Sequence, residues 1–116
     1  MKSISNKELC LSYLSRYANK DIKGIAELFT DDIKLRDWKI NMVGKENALK
    51  ETLKNFETVD SIEIDVLSTH ESENTVAAEL KITINKIEEL YVVDVITFNI
   101  DSQITSIRAY LGRGDD

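Results

Sequence analysis

Apolar positions recur every three or four residues in the first half of the chain and every second residue in the second half. Leu9, Cys10, Tyr13, Leu14, Tyr17 and Ala18 form one apolar face at helical spacing. Ser5 and Glu8 fit a capping box at the start of that helix, and Ile4 is placed to staple onto Leu9. Asn19 and Lys20 break the stripe. Asp21 then caps a short second helix carrying Ile22, Ile25, Ala26, Leu28 and Phe29. Thr30, Asp31 and Asp32 read as a turn. From Ile33 to Trp38 the pattern alternates, with Ile33, Leu35 and Asp37 on one face of a strand and Lys34, Arg36 and Trp38 on the other. Gly44 precedes a third helix with Ala48, Leu49, Thr52, Leu53 and Phe56 on its inner side.

Beyond that helix the chain is strand after strand. Ser61 to Thr69, Thr75 to Asn85, Glu89 to Ile100 and Gln103 to Gly112 are long and rich in Ile, Val, Thr and Tyr. Glu73-Asn74, Asn85-Lys86 and Asp101-Ser102 mark turns between them, so antiparallel pairing is expected. Helices first and long strands afterwards is an α+β order. Long strands twist and coil, which predicts a strongly curved antiparallel sheet of about six strands wrapped around three helices, with a pocket between them. The sequence shows no internal repeat and no composition break, so 1-116 reads as a single domain.

Charge and composition narrow the partners. The net charge is -6 and no basic patch stands out, which argues against nucleic acid and against an anionic membrane surface. No stretch approaches the ~18 apolar residues of a membrane span. No apolar signal run follows the first residues, so a cytoplasmic protein is expected. With one histidine and one cysteine, neither a zinc site nor a disulfide is expected. Four glycines form no phosphate-binding loop, and no cofactor is expected. A core this small gains from further burial. Apolar residues of both parities between Tyr91 and Phe98 point to a homodimer through the outer sheet face.

Three polar residues face the wrong way. Tyr13 lies on the apolar stripe of the first helix. Asp37 shares a strand face with Ile33 and Leu35. Asp94 shares one with Leu90, Val92, Ile96 and Phe98. A buried carboxylate without a partner protonates rather than remain charged. Each residue has a plain alternative: a core tyrosine with its hydroxyl at the rim, a solvated turn aspartate, a buried structural hydrogen bond. Together they predict a lined pocket instead of a dry core. Cys10, on the same apolar stripe, is expected to be buried and inert. His70, on the parity of Ile62, Ile64 and Val66 near a strand end, is expected at an edge.

The order of these segments resembles a known superfamily. A helix, the stretch from Asn19 to Asp32 (NKDIKGIAELFTDD), a strand, Gly44-Lys45-Glu46, a helix and four strands are similar to the cone-shaped nuclear transport factor 2-like superfamily, in its ketosteroid isomerase and SnoaL-like polyketide cyclase branch. The resemblance covers nearly the whole chain. It implies that Tyr13 stands where the isomerase has its oxyanion tyrosine and Asp37 where it has its general base. Asp94, ahead of Thr97, Phe98 and Asn99, stands at the place of its protonated aspartic acid. It also implies a pocket lined by Trp38, Phe56, Ile96, Ile107, Ala109 and Leu111. The substrate it implies is a small apolar molecule bearing a carbonyl.

Those residue types suit that chemistry. Proton abstraction beside a carbonyl needs a base near the carbon and donors at the oxygen, where negative charge grows. A carboxylate can be the base, and a tyrosine with a neutral carboxylic acid can be the donors, the division of labour known from ketosteroid isomerase. A related cyclase or dehydratase could use the same groups. A non-catalytic domain that binds a small ligand or a protein on the same scaffold is the reading from another class, since a fold alone does not decide function.

Overall fold

The structure is a computed structural model and describes residues 4–113. Its elements follow the order α1 (Asn6–Ala18), α2 (Ile22–Leu28), β1 (Phe29–Arg36), β2 (Asn41–Val43), α3 (Lys45–Thr58), β3 (Ile62–Ser72), β4 (Thr75–Ile84), β5 (Glu88–Phe98) and β6 (Ile104–Leu111). The α1 start is as the capping pattern predicts: Ser5 is the N-cap and its hydroxyl accepts from the Glu8 N–H at 3.1 Å. Asp21 caps α2 in the same way, accepting from Gly24 N–H at 3.0 Å.

The six strands form one curved, open sheet in the order β2-β1-β6-β5-β4-β3. Strands β3 to β6 pair antiparallel, as their turns predict. Those turns use residues at positive φ, among them Glu73, Asn85, Lys86 and Ser102, which matches the twist of tight hairpins. Strand β1 departs from the expectation, because it meets β6 in parallel. The two strands lie far apart in the chain and are joined through everything between them, so no hairpin turn dictates their direction.

Other differences are local. Thr30 to Asp32 belong to β1 instead of a turn, and the pairing with β6 slips between Phe29 and Lys34. Three residues, Asn41 to Val43, form a strand too short to give a periodic signal. In β3 a bulge between Val66 and Ser68 inserts Leu67, which is left exposed. A one-residue insertion flips every later side chain. His70 therefore sits opposite Ala77, on the outer face, and not with Ile62 and Ile64. It is on an edge strand, as expected.

The core lies between the helices and the concave face. Cys10, Ile25, Phe29, Ile33, Leu80, Ile96, Phe98 and Ile104 are essentially inaccessible. Leu53, assigned from spacing to the inner side of α3, is instead 43% exposed. Ala48, Thr52 and Phe56 are buried on that face, and Leu49 packs against the core partly buried. Among the described residues no helix is long and apolar enough to cross a membrane.

Candidate functional site

Burial alternates cleanly along β5: Val92, Asp94, Ile96 and Phe98 face inward and are buried, while Tyr91, Val93, Val95 and Thr97 face out. This alternation puts a carboxyl on the concave wall. Its neighbours in register are Ala78 on β4 and Ala109 on β6. One small residue on each side leaves Asp94 room to project into the cavity. It is 8% exposed. Across from the sheet, helical spacing brings Tyr13 and Tyr17 to the inner side of α1, their rings 6.0 Å apart. Tyr13 is 4% exposed and also meets Phe29, at 6.2 Å.

A cavity of about 810 Å³ opens between α1, α3, the β1–β2 connection and the concave sheet. Tyr13, Asp37 and Asp94 all line it. Its walls are largely apolar, with Leu35, Ile64, Leu80, Leu90 and Ile107 among them. Such a shape, mostly apolar with a few convergent polar groups, is typical of small-molecule sites.

Among the described residues, no hydrogen bond reaches the Asp94 carboxyl or the Tyr13 hydroxyl, and no fully buried side-chain polar atom lacks a partner. Both polar ends therefore meet the open space of the cavity. Burial raises the Asp94 carboxyl to about 7, with the Asp37 charge adding to the effect. Burial likewise raises the Tyr13 hydroxyl well above its ordinary value, assisted by the Asp94 charge. These groups share one electrostatic neighbourhood. At neutrality the tyrosine is a donor and the acid is poised between its two forms.

Asp37 lies one residue past β1, at the entrance of the β1–β2 hairpin. One carboxyl oxygen, Oδ1, accepts from Lys39 N–H at 2.7 Å and Ile40 N–H at 2.8 Å, while the Asp37 N–H donates to the Ile40 carbonyl. This Asx turn fixes the carboxylate of a residue that lines the cavity, and among the described residues no hydrogen bond engages Oδ2.

Of the expected lining residues, Trp38, Ile107, Ala109 and Leu111 line the cavity. Phe56 and Ile96 do not. Phe56 is 4% exposed and packs edge-on behind Tyr17, ring centroids 4.9 Å apart. Ile96 is the next inward position past Asp94, where the core has already closed. Cys10 is fully buried as expected, and burial pushes its thiol up to about 12.

One polar pair of the cavity carries no motif in the sequence. Asn55 Nδ2 donates to the Tyr17 hydroxyl at 2.6 Å, and both residues line the cavity. Tyr17 was visible as the next turn of the Tyr13 stripe. Asn55 had no signal, since it stands among charged residues on the polar side of α3. Among the described residues, no three His, Cys, Asp or Glu side chains gather as a metal site.

Comparisons with known proteins agree with this architecture. Among curated proteins, none matches the sequence significantly. Several solved structures match its fold. A SnoaL-like protein of unknown function from Burkholderia thailandensis superimposes with a TM-score of 0.84 at 12% identity, over 97% of this chain and 99% of that one. The epoxide hydrolase/cyclase-like enzyme SalBIII, with a role in pyran ring formation in the polyether salinomycin, gives 0.81 at 21% identity, over 95% and 92%. A provisionally named ketosteroid isomerase from Kribbella flavida gives 0.80 at 13% identity, over 96% and 80%. At such identities the likeness is one of fold. The sequence itself matches the model of the SnoaL-like domain over residues 11–107. A cone of three helices in a six-stranded sheet, and a family model matching most of the chain, lead to one conclusion: this protein belongs to the SnoaL-like domain family of the NTF2-like fold.

Proposed function

We propose that this protein is a cofactor-independent enzyme that moves a proton next to a carbonyl of a small apolar substrate. The observation that carries the reading is the unpartnered pair of Tyr13 hydroxyl and Asp94 carboxyl at an apolar cavity wall, with the Asp37 carboxylate lining the same cavity. The substrate carbonyl oxygen accepts from Tyr13 O–H and from protonated Asp94. Asp37 Oδ2 takes a proton from the adjacent carbon, and the electron pair moves onto the oxygen as an enolate. Asp37, now a carboxylic acid, returns the proton to a conjugated carbon, so the double bond shifts and the enzyme is restored. The low-polarity walls strengthen both hydrogen bonds in the enolate, where charge has developed.

A non-catalytic binding domain is the competing reading. It draws on the structural role of Asp37 Oδ1 in the hairpin turn. The oxyanion pair on which the catalytic reading rests is tested with 2-naphthol, whose anion imitates the enolate, followed by fluorescence. Wild type should bind it. Tyr13→Phe and Asp94→Ala should each bind it about tenfold more weakly, the loss of one hydrogen bond to a charged oxygen. Equal affinity in all three proteins would remove the oxyanion pair. We propose separately a homodimer, with the outer face of β4, β5 and β6 as the contact.

A further inference from the structure

The polar groups of the cavity divide into those already engaged and those left over. The Thr52 hydroxyl donates to the Ala48 carbonyl at 2.8 Å, and that of Thr58 to the Asn55 carbonyl at 2.9 Å. Neither is available to a ligand as a donor. Tyr17 differs. Its oxygen accepts from Asn55, but its own O–H donates to no described residue. The Asn55 side chain likewise keeps its carbonyl oxygen and one N–H unengaged. The pair sits one helical turn from Tyr13, with ring centroids 6.0 Å apart. Its position is fixed: Phe56 packs edge-on to the Tyr17 ring at 4.9 Å, and the 2.6 Å hydrogen bond ties α1 to α3. Burial raises the Tyr17 hydroxyl to about 12, so it is a donor throughout the neutral range.

From this geometry we infer that Tyr17 and Asn55 form a second polar station that binds a second oxygen function of the substrate, about one helical turn from the carbonyl held at Tyr13 and Asp94. The inference rests on the proposed oxyanion pair and narrows its substrate class. The ligand is an apolar frame with two oxygens, a carbonyl at one end and a hydroxyl or second carbonyl toward the other. Tyr17 O–H donates to that second oxygen, and Asn55 either donates to it or accepts from its hydroxyl. Asn55 is exposed and Tyr17 half-buried, so a matching ligand oxygen replaces a hydrogen bond to water and adds the modest gain of one exchanged hydrogen bond.

The test compares 2-naphthol, which has one hydroxyl, with 2,6- and 2,7-dihydroxynaphthalene, by fluorescence titration of wild type, Tyr17→Phe and Asn55→Leu. In wild type at least one diol should bind about five- to tenfold more tightly than 2-naphthol, the range of one added hydrogen bond. Tyr17→Phe should abolish that advantage, bringing the affinities of the diol and 2-naphthol to within about twofold of each other. Asn55→Leu, which keeps the tyrosine, should reduce the advantage in part. A diol no better than 2-naphthol in wild type, or an advantage that survives Tyr17→Phe, overturns the second station. Neither outcome touches the Tyr13–Asp94 pair, which stands or falls on 2-naphthol alone. A purely structural clamp would lower the melting temperature of both variants and affect all three ligands equally, and that result also overturns the inference.

Discussion

Asp94 joins protein stability to site chemistry, because burial on the concave wall takes its carboxyl largely out of water. Its pKa is raised from 3.8 to about 7. A carboxyl that holds its proton more tightly in the folded state contributes most below its unfolded value. That contribution is lost as pH rises from about 4 through about 7, and is constant above. Asp94→Asn should therefore gain stability relative to wild type across that window, by up to roughly 4 kcal/mol at about 1.4 kcal/mol per unit. Paired denaturation curves from pH 4 to 9 check it; parallel curves would mean that Asp94 is not perturbed. Asp37→Asn removes a neighbouring charge, so the Asp94 midpoint should move down, but not to its ordinary value, since burial is the larger cause. Carboxyl infrared titration of the two proteins reads this shift. Asp94 and Tyr13 were legible in the sequence because each breaks a long, regular pattern. Asp37 was legible only as a parity at a strand end. Its hold on two backbone N–H groups depends on the turn that follows, which no periodicity encodes. Phe56 and Ile96 share faces with true lining residues, and only depth separates them.

At the scale of elements, periodicity specified α1, α3 and the four long strands because each presents several repeats of one face. It could not specify β2, which has three residues, or the parallel meeting of β1 with β6, which depends on chain distant in sequence. The Leu67 bulge is likewise silent, since a slip of one residue leaves composition unchanged. One local feature has a clear energetic signature. Gly44, the N-cap of α3, has φ 97, and a Cβ there would meet open space. Gly44→Ala should cost about 1 kcal/mol through backbone conformation alone, without steric clash. Urea denaturation measures it, and a change within error would mean that the α3 entry relaxes freely. Because α3 carries Asn55, the same variant should also loosen the Tyr17 contact if the entry angle of the helix shifts.

For the whole molecule, no element among the described residues covers the outer face of the sheet. Val93 and Val95 are half-buried there and Tyr110 is 55% exposed, in register between β5 and β6. A homodimer through this face predicts a dimeric mass by analytical ultracentrifugation and a monomeric one for Val95→Lys; a monomeric wild type at micromolar concentration counts against it. The cone itself was the most legible property, since helices followed by long strands admit few arrangements. Its chemistry is tested most directly without knowing the natural substrate, by following deuterium uptake from heavy water at the carbon beside the carbonyl of 2-tetralone, a small apolar ketone, by proton NMR. Wild type should accelerate exchange over buffer. Asp37→Asn should lose about a thousandfold of that acceleration, the usual scale for a missing general base. The wild-type rate should decline above about pH 7 as Asp94 gives up its proton. Exchange no faster than in buffer, or equally fast with Asp37→Asn, would contradict proton transfer at this site.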